Sequence, residues 1–293
     1  MNFKQQAETF MSEIASRKSD PVRPNTLHVY RSLLDARILP LLGKENMAEV
    51  NNRTVKALVA RLTEGGLSPA TITLAVSLVK QIVKSAVNAD GDQLYPRTWN
   101  PRFIDAPRVE PTSQKAPVAP IAAITAGLAA ISGEVRVLVA LLAGTGLRIG
   151  EALALTVSDW DPTAGTLRVH STMVHGQIQG ETKTKAGTRV VDLDRGLNQL
   201  LYSLFENREQ AGLLFLTGER TLRRRITELG LPGFHSLRRF RITHLQTQNV
   251  PPVLTKFWAG HAAGDMTERY TKMGAQIEER KAWSERAGLG FQL

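Results

Sequence analysis

Between residues 95 and 120 the chain reads YPRTWNPRFIDAPRVEPTSQKAPVAP, with prolines at 96, 101, 107, 111, 117 and 120. Each proline fixes φ, lacks an amide proton and pushes the residue before it out of the α region. Proline this dense forbids a helix and favours an extended connector. It therefore divides the chain into a first domain over residues 1–95, a linker over 96–117 and a second domain over 118–293. At 293 residues and 42% hydrophobic content, the chain is long enough to bury two cores.

Phe3, Phe10, Met11 and Ile14 recur at helical spacing over residues 3–18. PNTLHVYRSLLDARILPLLG reads as a second helix following a cap-like Asn25–Thr26 pair. NNRTVKALVARLTEGG starts at an asparagine cap and stops at Gly65–Gly66, and SPATITLAVSLVKQIVKSAVNADG opens with Ser68 as cap and Pro69 in the first turn. The spacing thus predicts a bundle of about four helices over residues 1–90. Beyond the linker, alanine- and leucine-rich helical stretches run to about residue 155. GTLRVHSTMVHGQIQGETKTKAGTRVVDL (165–193) has β-branched runs broken by Gly176, Gly180 and Gly187, which predicts a three-stranded antiparallel sheet. Helical patterning returns from residue 194, so the expected fold class is mainly α with a small antiparallel β-sheet (α+β).

Lys and Arg number 37 against 27 Asp and Glu, a formal net charge of +10 that points to an anionic partner, nucleic acid above all. The absence of cysteine excludes disulfides, thiol nucleophiles and cysteine-ligated zinc. The polar start MNFKQQAETF lacks the pattern of a signal peptide, and the most apolar stretch, VRVLVALLAG (135–144), is too short to span a bilayer. A cytoplasmic protein without membrane association is expected. No GxxxxGKS/T loop is present, and the histidines at 28, 170, 175, 235, 244 and 261 do not cluster with carboxylates at metal-ligand spacing. No metal or other cofactor is expected.

Residues able to do chemistry gather in the second half. GTGLRIGEALAL places Arg148 just after a glycine turn, with Glu151 three residues on, where the two can meet on one helix face. ETKTKAGTRVV puts Lys183 and Lys185 at a hairpin tip. HSLRRFRITHL sets His235 and Arg238 on one helix face, with Arg239 and Arg241 expected to point elsewhere. WAGHAAGDMTERYTK places His261 nine residues before Tyr270, and Asp265 with Glu268 resembles a capping box that would start a helix at 265. Each feature alone has an ordinary reading: a surface ion pair, solvated lysines, a solvated histidine beside arginines, a half-buried tyrosine. Together they form a coherent set for phosphoryl transfer without a metal. Arginine offers two parallel donors to the non-bridging oxygens and keeps its proton. A tyrosine with a pKa near 10 needs help to lose its proton, and a leaving oxygen needs one, which a lysine can supply.

At these residues the chain resembles the tyrosine recombinase family, also called the phage integrase family. TGLRIGEALAL resembles its first-arginine box, HSLRRFRITHL its HxxR box, and GHAAGDMTERYT its final box, with the same interval from histidine to tyrosine. Trp258 and Ala259 stand where the family usually has leucines, and Lys272 where a histidine is common. The resemblance implies a helical core-binding domain followed by a catalytic domain, acting on double-stranded DNA as a homo-tetramer on two sites, with a directionality factor as a possible further partner. It implies that Arg148 and Arg238 clamp the scissile phosphate and that Lys183 is the general acid, with Lys185 the competing candidate. It further implies that His235 is proton acceptor or phosphate donor, that His261 is hydrogen-bonded to the phosphate, that Tyr270 is the nucleophile and that Glu151 supports Arg148. The implied activity is site-specific recombination by a phage or mobile-element integrase in a bacterial host, or dimer resolution of the Xer type. The alternative is a catalytically silent DNA-binding protein of the same fold. The chain begins almost at the first core-binding helix, so a layout without an arm-binding domain is expected. The tail after Tyr270 would pack on a neighbouring protomer or on its own domain, anchored in either case by Trp283, Leu289 and Phe291.

Overall fold

The computed structural model describes residues 1–19, 21–109, 117–180, 188–205, 212–261 and 273–293. The chain forms two compact units, Met1–Gln114 and Lys115–Leu293. The first is built from α1 (Phe3–Ser16), α2 (Pro24–Leu33), α3 (Leu39–Leu42), α4 (Asn52–Glu64), α5 (Pro69–Ser85) and α6 (Pro101–Ile104). Asn2 and Gln5 cap α1 reciprocally, each side chain accepting from the other's backbone N–H at 2.9 Å. Asn51 and Ser68 cap α4 and α5 as their sequences predict. Helix α2 differs from expectation. Pro24 occupies its first turn and Arg23 precedes it without a side-chain cap, so Asn25 and Thr26 lie inside the helix.

The predicted long second helix is also interrupted. Pro40 cannot donate to the helical ladder, and a single π-turn over Leu34–Ile38 absorbs the defect before α3 begins. Phe3, Phe10, Met11 and Ile14 are all buried, together with the apolar faces of α4 and α5. The proline-rich segment is not wholly extended. Asn100 accepts from the Phe103 N–H at 3.1 Å and caps the single turn of α6, whose Pro101 stands where no amide proton is needed. Ile104 is buried in the core of this unit, and Tyr95 and Trp99 pack against it.

The second unit contains α7 (Ile121–Ala129), α8 (Gly133–Thr145), α9 (Ile149–Leu153), β1 (Trp160–Asp161), β2 (Thr166–Val169), β3 (Thr172–Val174), β4 (Gln177–Gln179) and β5 (Arg189–Asp192). It continues with α10 (Arg195–Phe205), α11 (Glu219–Glu228), α12 (Phe234–Thr247), α13 (Pro252–Ala259) and α14 (Ile277–Ala287). Helix α8 is buried at every position from Val137 to Thr145, which is why its sequence is apolar all round. Strands β1, β2 and β5 form an antiparallel sheet in that order, with Leu167 opposite Val191. Residues 172–179 do not join this sheet. They form the separate hairpin β3–β4, turned by His175 and Gly176, both at positive φ as a tight two-residue turn requires.

The C-terminal segment folds back onto its own unit. Ala287 and Leu289 enter the core, and Trp283 and Phe291 pack against it. Among the described residues, no helix is long and apolar enough to cross a membrane.

Candidate active site

Helix α8 ends at Gly146, which turns into the left-handed region at φ 71 and releases the chain toward Arg148. Arg148 is the N-cap residue of α9. Glu151, in the first turn, reaches back to its backbone N–H at 3.0 Å and accepts from its guanidinium Nη1 at 2.8 Å. Glu151 is buried, whereas the Arg148 side chain stays 44% exposed and so remains accessible to a ligand. The same carboxylate receives a second arginine. Arg189, at the start of β5 and 1% exposed in its side chain, donates to both Glu151 oxygens at 3.3 and 2.9 Å and to the Trp258 carbonyl at 2.8 Å. Burial raises the pKa of Glu151. The hydrogen bonds and charge of Arg189, joined by Arg148, outweigh it and hold the carboxyl below its usual value.

Helix α12 supplies Arg238. Its guanidinium donates to the carbonyls of Gly146 and Ala259, each at 2.7 Å, and forms no carboxylate ion pair among the described residues. Burial, and then repulsion from Arg148, push its pKa down to about 10, so it still carries full charge near neutrality. His261 follows the left-handed Gly260 that closes α13, and its Nε2 lies 3.0 Å from Arg238 Nη2. A guanidinium only donates, so this nitrogen accepts and the ring proton sits on Nδ1, a donor without a partner among the described residues. A Cβ at Gly260 would stand 2.7 Å from Arg189 Nη1, so glycine is required both for its φ of +64 and for the approach. Partial burial lowers the pKa values of His235 and His261, and nearby arginines reinforce the shift: Arg239, Arg238 and Arg148 for His235, Arg238 and Arg148 foremost for His261. Both rings are neutral at neutral pH.

The structure thus gathers Arg148, Glu151, His235, Arg238 and His261 into one positively charged cluster. Lys183, Lys185 and Tyr270, with the helix expected from 265, lie outside the described residues. Arg239 does not point elsewhere, as its sequence position predicts. It lines a cavity together with His235, one turn earlier on α12. Arg241 is buried and donates to the Gly288 carbonyl. Sequence reasoning missed Arg189 and the polar chain behind it. Trp258 donates from its indole to Asp192 at 2.8 Å, and Asp192 in turn accepts from Arg280 at 2.8 Å. The available signal was an arginine and an aspartate at opposite ends of a β-branched run, RVVD, which an ordinary exposed strand end also carries.

The sequence matches the model of the phage integrase family over residues 121–276, just over half of the chain. No curated protein sequence matches it. Among solved structures, the integrase of transposon Tn1549 in complex with transposon right end DNA is 23% identical, with 96% of this chain and 100% of that chain covered and a TM-score of 0.72. A lambda integrase dimer bound to a COC′ core site is 15% identical, covering 96% of this chain and 77% of that one at a TM-score of 0.67. A lambda integrase tetramer bound to a Holliday junction is 17% identical, covering 90% and 78% at a TM-score of 0.66. The family match runs through the elements that carry the arginine cluster, and the whole fold agrees with it: the chain belongs to the phage integrase family and is a site-specific tyrosine recombinase.

Proposed function

We propose that this recombinase cleaves and rejoins duplex DNA through a 3′-phosphotyrosyl bond on Tyr270, in the service of integrating a phage or mobile element. The observation that carries the reading is the buried Arg238, whose hydrogen-bond partners among the described residues are two carbonyls and the acceptor nitrogen of a neutral histidine, with no direct carboxylate pair. Such a cation favours an anion at the adjacent exposed Arg148. In the proposed reaction Arg148 and Arg238 hold the non-bridging oxygens of the scissile phosphate, and His261 donates from Nδ1. Tyr270 Oη attacks phosphorus, and His235 accepts the phenolic proton. The 5′ oxygen leaves with a proton from Lys183, with Lys185 as the competing donor. The phosphotyrosyl ester keeps the bond energy of the backbone, so a 5′ hydroxyl of a partner strand restores the phosphodiester and releases Tyr270 without ATP. Glu151 and Arg189 orient Arg148.

Arginines on α11 and basic residues of the first unit are the proposed DNA-facing surface, with a homo-tetramer assembled on two sites and a directionality factor as a further partner. The transposon and phage integrases among the structural relatives favour integration over dimer resolution. Mass spectrometry of peptides from nuclease-trimmed adducts tests the reading. A nucleotide on the peptide containing Tyr270 is expected. A nucleotide on any other residue, or DNA binding with no adduct at a mapped site, would overturn it.

A further inference from the structure

Beside His235 lies a cavity of about 340 Å³, lined by Ile149, Arg223, Phe234, His235, Ser236 and Arg239 among others. Its two cations differ in kind. Arg223 is matched, with Glu219 at 2.6 Å and the ring of Phe234 at 5.1 Å beneath its guanidinium. Arg239 is half-buried, donates to the Pro117 carbonyl over a long 3.4 Å, and has no carboxylate partner among the described residues. It stands one helical turn after His235, and of the charges acting on that ring its own is the largest. Side chains one turn apart sit roughly 5–6 Å apart at Cβ. A long arginine side chain can cover from there the next phosphate along the strand. The remaining walls, Phe234, Ile149, Pro117 and Pro232, are apolar and suit a deoxyribose between two phosphates.

We propose that this cavity is a second phosphate subsite, in which Arg239 takes the DNA phosphodiester next to the one that is cleaved. The assignment rests on the reading that His235 faces the scissile phosphate. Arg239 then has two effects. It fixes the register of the strand, and its charge, after burial and together with Arg238 and Arg148, helps hold His235 unprotonated beside a polyanion that would otherwise draw a proton onto it. Arg239 is a positioning residue, acting on the neighbouring phosphate and on His235.

The test uses the full chain carrying Tyr270→Phe, which blocks the proposed chemistry, and a duplex spanning the wild-type cleavage position mapped by adducts. A single methylphosphonate replaces the phosphate adjacent to the scissile one, and binding is read by fluorescence anisotropy at fixed salt. Neutralising that phosphate should weaken binding about tenfold, as expected for a lost charge-assisted bond. Arg239→Gln should weaken binding to unmodified DNA by the same factor, and the two changes together should weaken it no further. Arg239→Lys should recover part of the loss. In the otherwise wild-type chain, Arg239→Gln should also move the acid limb of the cleavage rate to higher pH, which a purely structural residue would not do. Losses that multiply, or an Arg239→Gln protein that binds like its parent, would overturn the subsite. Adducts that persist in Tyr270→Phe would overturn the nucleophile instead, and the binding comparison would still stand.

Discussion

Arg238 and Arg148 divide one task between a buried and an exposed cation. Arg238 is fixed by two carbonyls and one imidazole nitrogen, so its donors are set before any substrate arrives. Preorganised donors of this kind account for large catalytic terms, and Arg238→Ala should slow cleavage by about 10²–10³-fold in single-turnover assays. Arg238→Lys should not restore the rate, because one ammonium cannot span two carbonyls and a phosphate. A lysine variant within tenfold of wild type would contradict the fork-like role. The histidines give a pH prediction with a definite sign. Their pKa values lie below the ordinary 6.5, through burial first and the arginines second. Cleavage that needs both rings neutral should therefore decline in acid with a midpoint below 6.5. Stability should weaken in the same window, because the unfolded chain takes up protons there that the folded chain refuses. An acid limb centred above 6.5 would contradict this account of the cluster.

Helix α14 is joined to the sheet by a buried ion pair. Arg280 and Asp192 are 3% and 1% exposed in their side chains, and the Trp258 indole shares the same carboxylate. Breaking such a pair leaves an uncompensated charge in the interior, so Arg280→Ala should destabilise the second unit by about 3–5 kcal/mol in thermal or urea unfolding. A loss below about 1 kcal/mol, the range of exposed pairs, would show that the tail is held by its apolar anchors alone. Those anchors were legible in the sequence as Trp283, Leu289 and Phe291, since large apolar residues in a polar tail need a partner surface. The ion pair was not, because no local pattern announces a contact 88 residues apart. Helices α1, α4 and α5 were legible through caps and apolar spacing, signals contained within each segment. Hairpin β3–β4 was misread as part of a three-stranded sheet, because strand partners are chosen by tertiary packing rather than by the strand sequence. The cluster at Arg148, His235, Arg238 and His261 was legible only as a set. Arg189 escaped because its function comes from a neighbour across the fold, Glu151.

The whole molecule is a strongly basic chain of net charge +10. Its exposed arginines are partly matched already: on α11, Arg223, Arg224 and Arg225 all pair with Glu219 or Glu228. Pairs this exposed exchange readily for phosphate contacts. DNA affinity should accordingly fall by about 10³-fold or more between 50 and 200 mM salt, the loss typical of six or more phosphate contacts. A nearly salt-independent affinity would contradict a backbone-tracking interface. The central claim concerns chemistry, and one comparison tests it most directly: relaxation of supercoiled plasmid in EDTA, followed by denaturing gels for protein–DNA adducts, with wild type beside Tyr270→Phe. The account predicts relaxation and adducts in wild type and neither in the variant. Relaxation that survives in Tyr270→Phe would contradict it.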